Sequence, residues 1–343
     1  MSGPPDVDVL VAGGGPVGLA AGLEARRRGL SVTVVEPREG PVDKACGEGL
    51  MPTALTRLGD LGVRVDGVPF VGIRYVCGGR SVSARFRSGP GLGVRRTVLH
   101  EALARRADDA GVERVRGSVG PVVQDGSGVS AAGRRARWLV AADGLHSPVR
   151  RGLGLDVAVP HPARFGLRRH FAVAPWSDHV EVHWTDRAEA YVTPVAGDLV
   201  GVAVLGPAGV GFDDVLADLP ALAARLGGAE PVTGLRGAGP LRQQASAVRS
   251  RRVVLVGDAA GYVDALTGEG LSTGLATARS AVAALAAGRP EDYPVAWARD
   301  TRRYRVLTSS LLSVTSRPRP RALLVPAAER LPWVFGRVVD LLA

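Results

Sequence analysis

Three glycine-rich segments of this chain each follow an apolar run, and each carries an acidic residue. The first fits the pattern G-x-G-x-x-G at Gly13, Gly15 and Gly18, and Glu36 ends the next apolar run. Such glycines allow a tight turn and a close approach of the backbone to a pyrophosphate, whose charge is stabilised at a helix N-terminus. An acid at this separation accepts hydrogen bonds from ribose hydroxyls. The segment therefore predicts a dinucleotide-binding site.

The second and third segments carry aspartates at the ends of apolar runs. Asp143 and Gly144 follow the run 138–142, and Asp258 follows the run 253–256. The third segment continues to a Thr-Gly-Glu-Gly sequence at 267–270. Since ligands of α/β sheets lie beyond the carboxyl ends of the strands, these aspartates are placed to bind a ribose or a ribityl chain. The glycines free backbone N–H groups to face a phosphate or a ring.

Hydrophobic periodicity predicts the elements that must position these segments. Buried strands are predicted at 7–12, 31–35, 138–142 and 253–256, with helices at 16–28, 52–61 and 95–110 and after the glycines near 268–274. Further strands are predicted at 71–77 and 81–86, in a small meander of 113–116, 121–124 and 128–131, and in alternating patterns at 164–173, 179–184, 190–195 and 199–205. The alternating patterns are typical of an antiparallel sheet. The chain is therefore predicted to be an α/β protein whose nucleotide-binding domain is interrupted by a β-rich domain.

Neither of these domains is expected to be a contiguous block. The predicted boundaries are 1–70, 92–158 and 248–315 for the nucleotide-binding domain, 71–91 and 159–247 for the β-rich domain, and 316–343 for a helical tail. We expect the tail to pack onto the body and to cap the nucleotide-binding domain. Contact with a membrane surface is the alternative, given its arginines.

Composition narrows the possible functions. The 343 residues carry a formal charge of +10, but Lys44 is the single lysine, and the arginines form no stripe interleaved with aromatic residues. A nucleic-acid partner is therefore not expected. No apolar run has the length of a transmembrane segment, and the N-terminus lacks the features of a signal peptide. Two cysteines do not make a disulfide framework, so we expect a cytoplasmic protein. The sequence leaves open whether it is a monomer or a dimer.

The three segments, in this order and at this separation, resemble the FAD-dependent family of p-hydroxybenzoate hydroxylase and geranylgeranyl reductase. The resemblance spans most of 7–280. It implies a glutathione-reductase-like, Rossmann-type FAD-binding domain with an inserted antiparallel β-sheet substrate domain, FAD as cofactor and NAD(P)H as transient electron donor. The residues that the resemblance assigns to FAD are Gly13, Gly15, Pro16, Val17, Gly18, Glu36, Pro37, Arg38, Arg96, Asp143, Gly144, Asp258, Gly268, Glu269 and Gly270. Residues 268–270 would line the isoalloxazine ring.

Two departures distinguish branches of this family. Hydroxylases of the family usually have His, Pro and Gln where this chain has Gly261, Ala265 and Glu269. The Thr-Gly-Glu-Gly sequence and the loop 44–49 (Lys-Ala-Cys-Gly-Glu-Gly) look more like the reductase branch, whereas the segment 191–194 keeps only part of the aromatic signature of that branch. The W-x-W-x-I-P motif of the related halogenases is absent.

No second dinucleotide motif is found, so NAD(P)H would bind without a domain of its own, or a partner protein would deliver electrons.

The resemblance implies an FAD-dependent oxidoreductase that acts on a hydrophobic small molecule in specialised metabolism. The primary expectation is a monooxygenase, which hydroxylates or epoxidises its substrate through a C4a-peroxyflavin. An ene-reductase that transfers hydride from reduced FAD to a C=C bond is the alternative. A binding or cyclisation protein with structural FAD is a third possibility. Cys46 and Tyr191 are the candidate catalytic residues.

Other reactive side chains have structural interpretations beside functional ones. Cys77 is expected in the core. His179, Glu181 and His183 share one face of a strand by period 2, opposite a buried face, and are expected to meet water or a cavity rather than a metal. The side chains at 168 and 170 (Arg and His) would either line the substrate pocket or face outward.

Overall fold

The chain begins with the strand–helix–strand unit that the glycine motif predicts. The computed structural model describes residues 4–159 and 163–343. The strands are β1 (Val7–Ala12), β2 (Val32–Glu36), β3 (Gly49–Leu50), β4 (Val68–Phe70), β5 (Gly72–Cys77), β6 (Arg80–Arg85), β7 (Gly91–Gly93), β8 (Glu113–Arg116), β9 (Val123–Gln124), β10 (Val129–Ala131), β11 (Arg134–Ala141), β12 (Asp156–Val157), β13 (Arg164–Phe171), β14 (Val180–Trp184), β15 (Glu189–Ala196), β16 (Leu199–Pro207), β17 (Arg236–Ala238), β18 (Gln243–Ala245), β19 (Arg249–Ser250), β20 (Val253–Leu255) and β21 (Gly261–Tyr262). The helices are α1 (Pro16–Arg27), α2 (Pro52–Asp60), α3 (Arg96–Asp109), α4 (Pro148–Gly152), α5 (Phe212–Ala217), α6 (Pro220–Leu226), α7 (Gly270–Ala286), α8 (Tyr293–Thr315), α9 (Pro318–Ala322), α10 (Leu324–Arg330) and α11 (Pro332–Leu342).

The first sheet is mainly parallel and packs against helices. Its order is β19-β20-β11-β1-β2-β8, and the strands from β20 to β8 run parallel. Val9, Leu10 and Val11 of the central strand are fully buried, as expected for a parallel sheet that is covered on both faces. Helices α1, α3 and α7 pack together beside it. The sheet therefore brings the ends of β1, β11 and β20, and with them all three glycine-rich segments, to one edge.

One part of the predicted meander is wrong. Strand β8 pairs parallel with β2, as the last strand of the first sheet. The antiparallel meander is instead β9-β10-β11. Periodicity does not distinguish a parallel edge strand from a meander strand, because both are short and largely exposed.

The second sheet has seven strands in the order β17-β13-β16-β15-β14-β5-β6. All neighbours are antiparallel except β14 and β5. Helices α5 and α6 cover one face, where Phe212, Val215 and Leu222 pack on Val192 and Val202. The opposite face is turned toward the first sheet and forms the wall of a cavity.

The C-terminal helices pack mainly on the second sheet, so the expectation that they cap the nucleotide-binding domain is wrong. Phe335 of α11 lies 4.9 Å from the Tyr75 ring of β5, centroid to centroid. Val325, Val339 and Leu342 are buried in the same apolar cluster. The tail reaches the first domain at α2, where a backbone N–H donates to the last carbonyl of the chain. In the part of the chain that the structure describes, no helix combines the length and apolar character needed to cross a bilayer.

Candidate functional site

The three glycines of the first motif have different surroundings. A Cβ on Gly13 (φ +98°) would lie 2.6 Å from the Ala142 carbonyl oxygen, and one on Gly18 would lie 1.8 Å from the Gly13 oxygen. A Cβ on Gly15 would meet a single neighbour, the Arg96 Nη2 at 4.0 Å. Gly13 and Gly18 are therefore required by the packing of the protein itself, whereas Gly15 opens onto free space.

That free space is a groove of about 540 Å³ along the carboxyl edge of the first sheet. Helix α1 points its N-terminus at the groove, and no side chain caps it, so its first N–H groups are available to an anion. The groove is lined by most of the residues predicted to bind FAD, namely Gly13, Gly15, Pro16, Val17, Glu36, Pro37, Arg38, Arg96, Asp143, Gly144 and Asp258.

Glu36 lies in the wall of the groove with its carboxylate held in place. Its Oε2 accepts a hydrogen bond from the Gly14 N–H (2.8 Å), and its Oε1 accepts one from Arg38 Nε (2.6 Å). Burial raises the pKa of Glu36, but the hydrogen bonds from Arg38 and Gly14 outweigh it, so the pKa is below its usual range. Glu36 is therefore ionised at neutral pH and can accept hydrogen bonds from hydroxyl groups.

Two buried polar atoms in this groove have no partner within the described residues. They are Arg96 Nε and Asp143 Oδ1. Burial raises the pKa of Asp143, while hydrogen bonds, including one from the Val149 N–H (3.0 Å), oppose the rise. Because buried polar atoms are rarely left unsatisfied, both atoms indicate a bound ligand. A helix N-terminus with a nearby arginine suits a diphosphate, and the ionised acid beyond it suits a ribose, so these residues fit FAD.

A second cavity, of about 240 Å³, continues from the groove toward the second sheet. Five residues line both spaces, namely Pro16, Val17, Lys44, Arg96 and Asp258. Residues 44–51, Gly268 and Gly270 line its near end. The far end is apolar and includes Ile73, Val180, Val182, Ala203, Leu205 and Leu241. The two spaces together form one path from the dinucleotide groove to an apolar chamber.

Both candidate catalytic residues line the second cavity. The Cys46 Sγ accepts a hydrogen bond from the Glu48 N–H at 3.4 Å. The Tyr191 hydroxyl donates to the Leu266 carbonyl oxygen at 2.9 Å, and burial raises the pKa of Tyr191 well above its usual value. The tyrosine proton is therefore engaged in a structural bond, whereas the thiol proton of Cys46 has no acceptor among the described residues.

A buried polar network behind the 44–49 loop was not predicted. Glu48, in the left-handed region at φ 58°, accepts from the Arg96 N–H at 2.8 Å and contacts His170 Nε2 at 2.6 Å. Arg168 Nη1 lies 2.9 Å from His170 Nδ1 and also pairs with Asp43. Since arginine can only donate, His170 Nδ1 accepts and its Nε2 carries the proton toward Glu48. The network fixes the loop that carries Cys46 to β13 and α3.

The position of this network shows whether residues 168 and 170 line the pocket or face outward. Arg168 lines the cavity, whereas His170 is fully buried behind it. Neither side chain faces outward. The sequence offered one signal for this network, a strand with polar residues that could face the cavity near a glycine-rich loop. The partner Glu48 could not be found from it, because Glu48 is distant in sequence.

Two of the three polar residues at 179, 181 and 183 do not lie where the pattern predicts, whereas His179, just before β14, is half-buried beside Asp178. Glu181 and His183 are buried beneath α5 and α6, with His183 Nε2 3.1 Å from Glu181 Oε2 and the Trp176 indole donating to the same carboxylate. Alternation along the strand is correct, because Val180 and Val182 face the cavity. Helices later in the chain cover the face that was expected to meet water. Among the described residues, no three His, Cys, Asp or Glu side chains are grouped to hold a metal ion.

Cys77 is only partly buried at the edge of its cluster, so the expectation of a core position is wrong.

A fully buried arginine connects the second and third segments. Arg150 donates to Asp156 (2.6 Å), to Gln243 (2.8 Å) and to the carbonyl oxygens of Leu145 (3.0 Å) and Ala259 (3.1 Å). Its side chain is 1 % exposed. The residue stands at the end of the second motif, but sequence alone gave it no partner. It holds the Asp143 and Asp258 loops in a fixed relation at the wall of the groove.

Glu269 does not line the cavity, although its neighbours Gly268 and Gly270 do. Its carboxylate points into the body of the protein, where Oε1 lies 3.5 Å from Arg303 of α8 and Oε2 is buried with no partner in the described part of the chain. The expectation that residues 268–270 line the isoalloxazine ring concerns their backbone and stays a prediction. The helix N-terminus presents backbone to the cavity and turns this side chain away. Burial raises the pKa of Glu269 to about 7, although Arg303 opposes the rise.

This carboxyl group should make stability depend on pH. Its folded-state pKa of about 7 exceeds its unfolded value of 4.5, so the folded state binds the proton more tightly. The free energy of unfolding should therefore fall as pH rises from about 4.5 to about 7, by roughly 2–3 kcal/mol. Glu269→Gln should remove this fall and be more stable than the parent at pH 8. Chemical denaturation across this pH range measures it, and an unchanged pH slope in the variant would contradict the assignment.

Comparison with known proteins agrees with this geometry. Residues 6–77 and 92–289 match the family model described as FAD binding domain. The chain is 32 % identical to the menaquinone reductase of Mycolicibacterium smegmatis, over 84 % of this chain and 79 % of the relative. It is 29 % identical to the geranylgeranyl diphosphate reductase of Rhodobacter capsulatus, over 84 % and 78 %. The solved structure of the flavin-dependent brominase Bmp2 superposes with a TM-score of 0.83 at 20 % identity, covering 98 % of this chain and 93 % of that one.

The family model covers well over half of the chain, and its matched segments contain both the groove and the three glycine-rich segments. The predicted cofactor and the predicted combination of a Rossmann-type domain with a second sheet are confirmed. The chain therefore belongs to the FAD binding domain family and is an FAD-dependent oxidoreductase.

Proposed function

We propose that this oxidoreductase reduces a carbon–carbon double bond in an apolar, isoprenoid-type substrate. The observation that carries the proposal is the cavity itself. Its far walls are aliphatic and aromatic, it joins the dinucleotide groove, and its near end carries a thiol that can release a proton. An isoprenoid chain offers double bonds and no polar groups, so it matches such walls. The menaquinone and geranylgeranyl diphosphate reductases support the proposal.

The groove residues would hold FAD in the orientation that this reaction needs. The N-terminus of α1 and Arg96 would bind the pyrophosphate, Glu36 the adenosine ribose, and Asp143 and Asp258 the ribose and ribityl side. Backbone of Gly268 and Gly270 would face the flavin ring. When bound and reduced, FAD supplies the hydride.

The protein's own contribution is to position the double bond and to supply a proton. Apolar walls exclude water and keep the substrate chain next to the glycine loop. We propose that the Cys46 thiol gives its proton to the carbon that does not receive the hydride, and that the thiolate regains a proton from solvent after product leaves. Lys44 lines the same wall and would stabilise the thiolate. Tyr191 would act as a wall residue, because its hydroxyl is already bonded to the Leu266 carbonyl.

Anaerobic turnover with a defined substrate tests the activity. Reduced enzyme is mixed with geranylgeranyl diphosphate in the absence of oxygen, and the product is analysed by mass spectrometry. The expected product has gained two hydrogen atoms while the flavin absorbance returns to the oxidised spectrum. In air with labelled dioxygen, a product that gains an oxygen atom would overturn the proposal and support the monooxygenase expectation. Product formed without any change in flavin redox state would support a non-redox role.

A change at the thiol should slow the chemical step without affecting the cofactor. Cys46→Ala should lower the rate of flavin reoxidation by substrate by about 10²-fold or more, the usual contribution of a general acid. Tyr191→Phe should change this rate by less than about fivefold, because its hydroxyl makes a structural bond. Anaerobic stopped-flow measurement gives the rate, and the flavin content of the purified variant is the control. Equal rates in Cys46→Ala and the parent would exclude the thiol as proton donor.

A further inference from the structure

The C-terminal helices expose apolar side chains that their own packing does not use. Leu323, Leu331, Trp333 and Val334 are 61 %, 48 %, 74 % and 36 % exposed. Leu331, Trp333 and Val334 lie together where α10 ends and α11 begins, and Leu323 immediately precedes α10. We refer to these four residues as the C-terminal patch. Single exposed apolar residues are ordinary, but a contiguous group that includes a tryptophan marks an interaction surface.

Positive charge surrounds the C-terminal patch. The two acids of the segment 316–343 are already paired, Glu329 with Arg80 (3.0 Å) and Asp340 with Arg87 (2.9 Å). Among the residues that the structure describes, four exposed arginines of this segment have no carboxylate within ion-pair distance, namely Arg317, Arg319, Arg330 and Arg337. The patch is therefore an apolar surface with an unneutralised cationic border.

We propose that the C-terminal patch docks onto the surface of an anionic lipid bilayer. Leucine, valine and tryptophan side chains enter the boundary between head groups and acyl chains, and tryptophan favours that depth. The bordering arginines reach lipid phosphates. A second copy of the chain fits less well, because a two-fold contact would bring the same unpaired arginines against one another. A nucleic acid fits less well because the leucine and valine side chains offer bases no stacking surface.

The docked face lies beside the substrate cavity. Helix α11, which begins with the patch, ends at Leu342, and Leu342 lines that cavity. Phe335 of the same helix packs on Tyr75, another lining residue. Docking would thus bring the cavity wall to the membrane surface, which suits a lipid substrate if the proposed function holds. Binding to lipid is measured without turnover, so its failure is distinct from failure of the reductase proposal.

Vesicle binding by the full-length flavoprotein tests the surface. Protein is sedimented with vesicles of phosphatidylcholine alone or of phosphatidylcholine mixed with phosphatidylglycerol. We expect binding to the anionic vesicles, weakening as salt is raised. Leu331→Ser combined with Trp333→Ser should lower the partition coefficient by at least about tenfold, and Arg330→Gln by about fivefold. Brominated lipid should quench fluorescence in the parent and not in Trp333→Phe.

Matched variants away from the patch control for general effects of apolarity and charge. Val295→Ser changes an exposed apolar residue of α8, and Arg105→Gln changes an exposed arginine of α3. Both should bind vesicles like the parent. Equal binding of the parent and the double variant would overturn the proposal, as would equal binding to neutral and anionic vesicles. A dimer in sedimentation analysis that becomes monomeric in the double variant would assign the patch to self-association, and a loss of DNA affinity confined to it would assign it to nucleic acid.

Discussion

A Gly15→Val variant should fold and fail to hold FAD. The backbone of Gly15 is extended (φ −68°, ψ 176°), a conformation that valine adopts readily. A Cβ at this position meets nothing closer than Arg96 Nη2 at 4.0 Å, so the free protein tolerates it. The same branched side chain would project into the groove where the pyrophosphate must approach the N-terminus of α1. We expect FAD affinity to fall by at least about 10²-fold, or about 2.7 kcal/mol, with an unchanged unfolding midpoint. Isothermal titration of the apoprotein with FAD measures it.

Two further glycines make this experiment specific. Gly59→Val places the same side chain in open space on α2 and should leave FAD affinity unchanged. Gly18→Val should fail to fold, because its Cβ would lie 1.8 Å from the Gly13 carbonyl oxygen. Full FAD occupancy in Gly15→Val would show that the groove does not hold the pyrophosphate, whatever the stability of the other two variants.

An Arg150→Met variant should lose both stability and FAD. Methionine replaces the aliphatic part of the side chain but none of its hydrogen bonds to Asp156, Gln243 and the two loop carbonyls. Breaking one side of a buried charged network costs about 3–5 kcal/mol, since the remaining partners stay desolvated. Asp156 is 40 % exposed, so water compensates part of its loss and the lower figure is expected. Denaturant unfolding of the apoprotein measures the change.

The neighbouring arginine provides the control. Arg151→Met makes the identical change one position along α4, at an exposed side chain. It should alter the free energy of unfolding by less than about 0.5 kcal/mol, as is usual on surfaces. A stability loss in Arg150→Met no larger than in Arg151→Met would mean that the two motif loops are held together by other contacts.

Local chemistry explains why the first motif could be predicted from sequence. Gly13, Gly18 and Glu36 belong to one strand–helix–strand unit, whose geometry follows from steric limits on the turn and from the uncapped N-terminus of α1. The seven-stranded sheet was predictable in most of its strands for a similar reason, because alternation along β13 to β16 is a local pattern.

The predictions that were wrong or missing concern contacts between elements that are distant in sequence. Glu48 and His170 are separated by 122 positions, and neither residue type indicates the other. Period 2 placed Glu181 and His183 correctly on one face, but α5 and α6 decide whether that face meets water. The family resemblance assigned residues 268–270 to the ring, but it could not show that the side chain of Glu269 lies beside Arg303 on the next helix.

The pairing of β11 with β20 has a consequence for biosynthesis. In this pairing, Leu139 lies beside Val253 and Val140 beside Val254. The sheet that bears the groove is therefore completed by a strand that is synthesised more than a hundred residues later. Helix α7, whose first residue Gly270 lines the cavity, emerges later still. A ribosome must therefore complete most of the polypeptide before the coenzyme can be enclosed, and until then β11 presents an open edge to the chaperones and proteases of the cell.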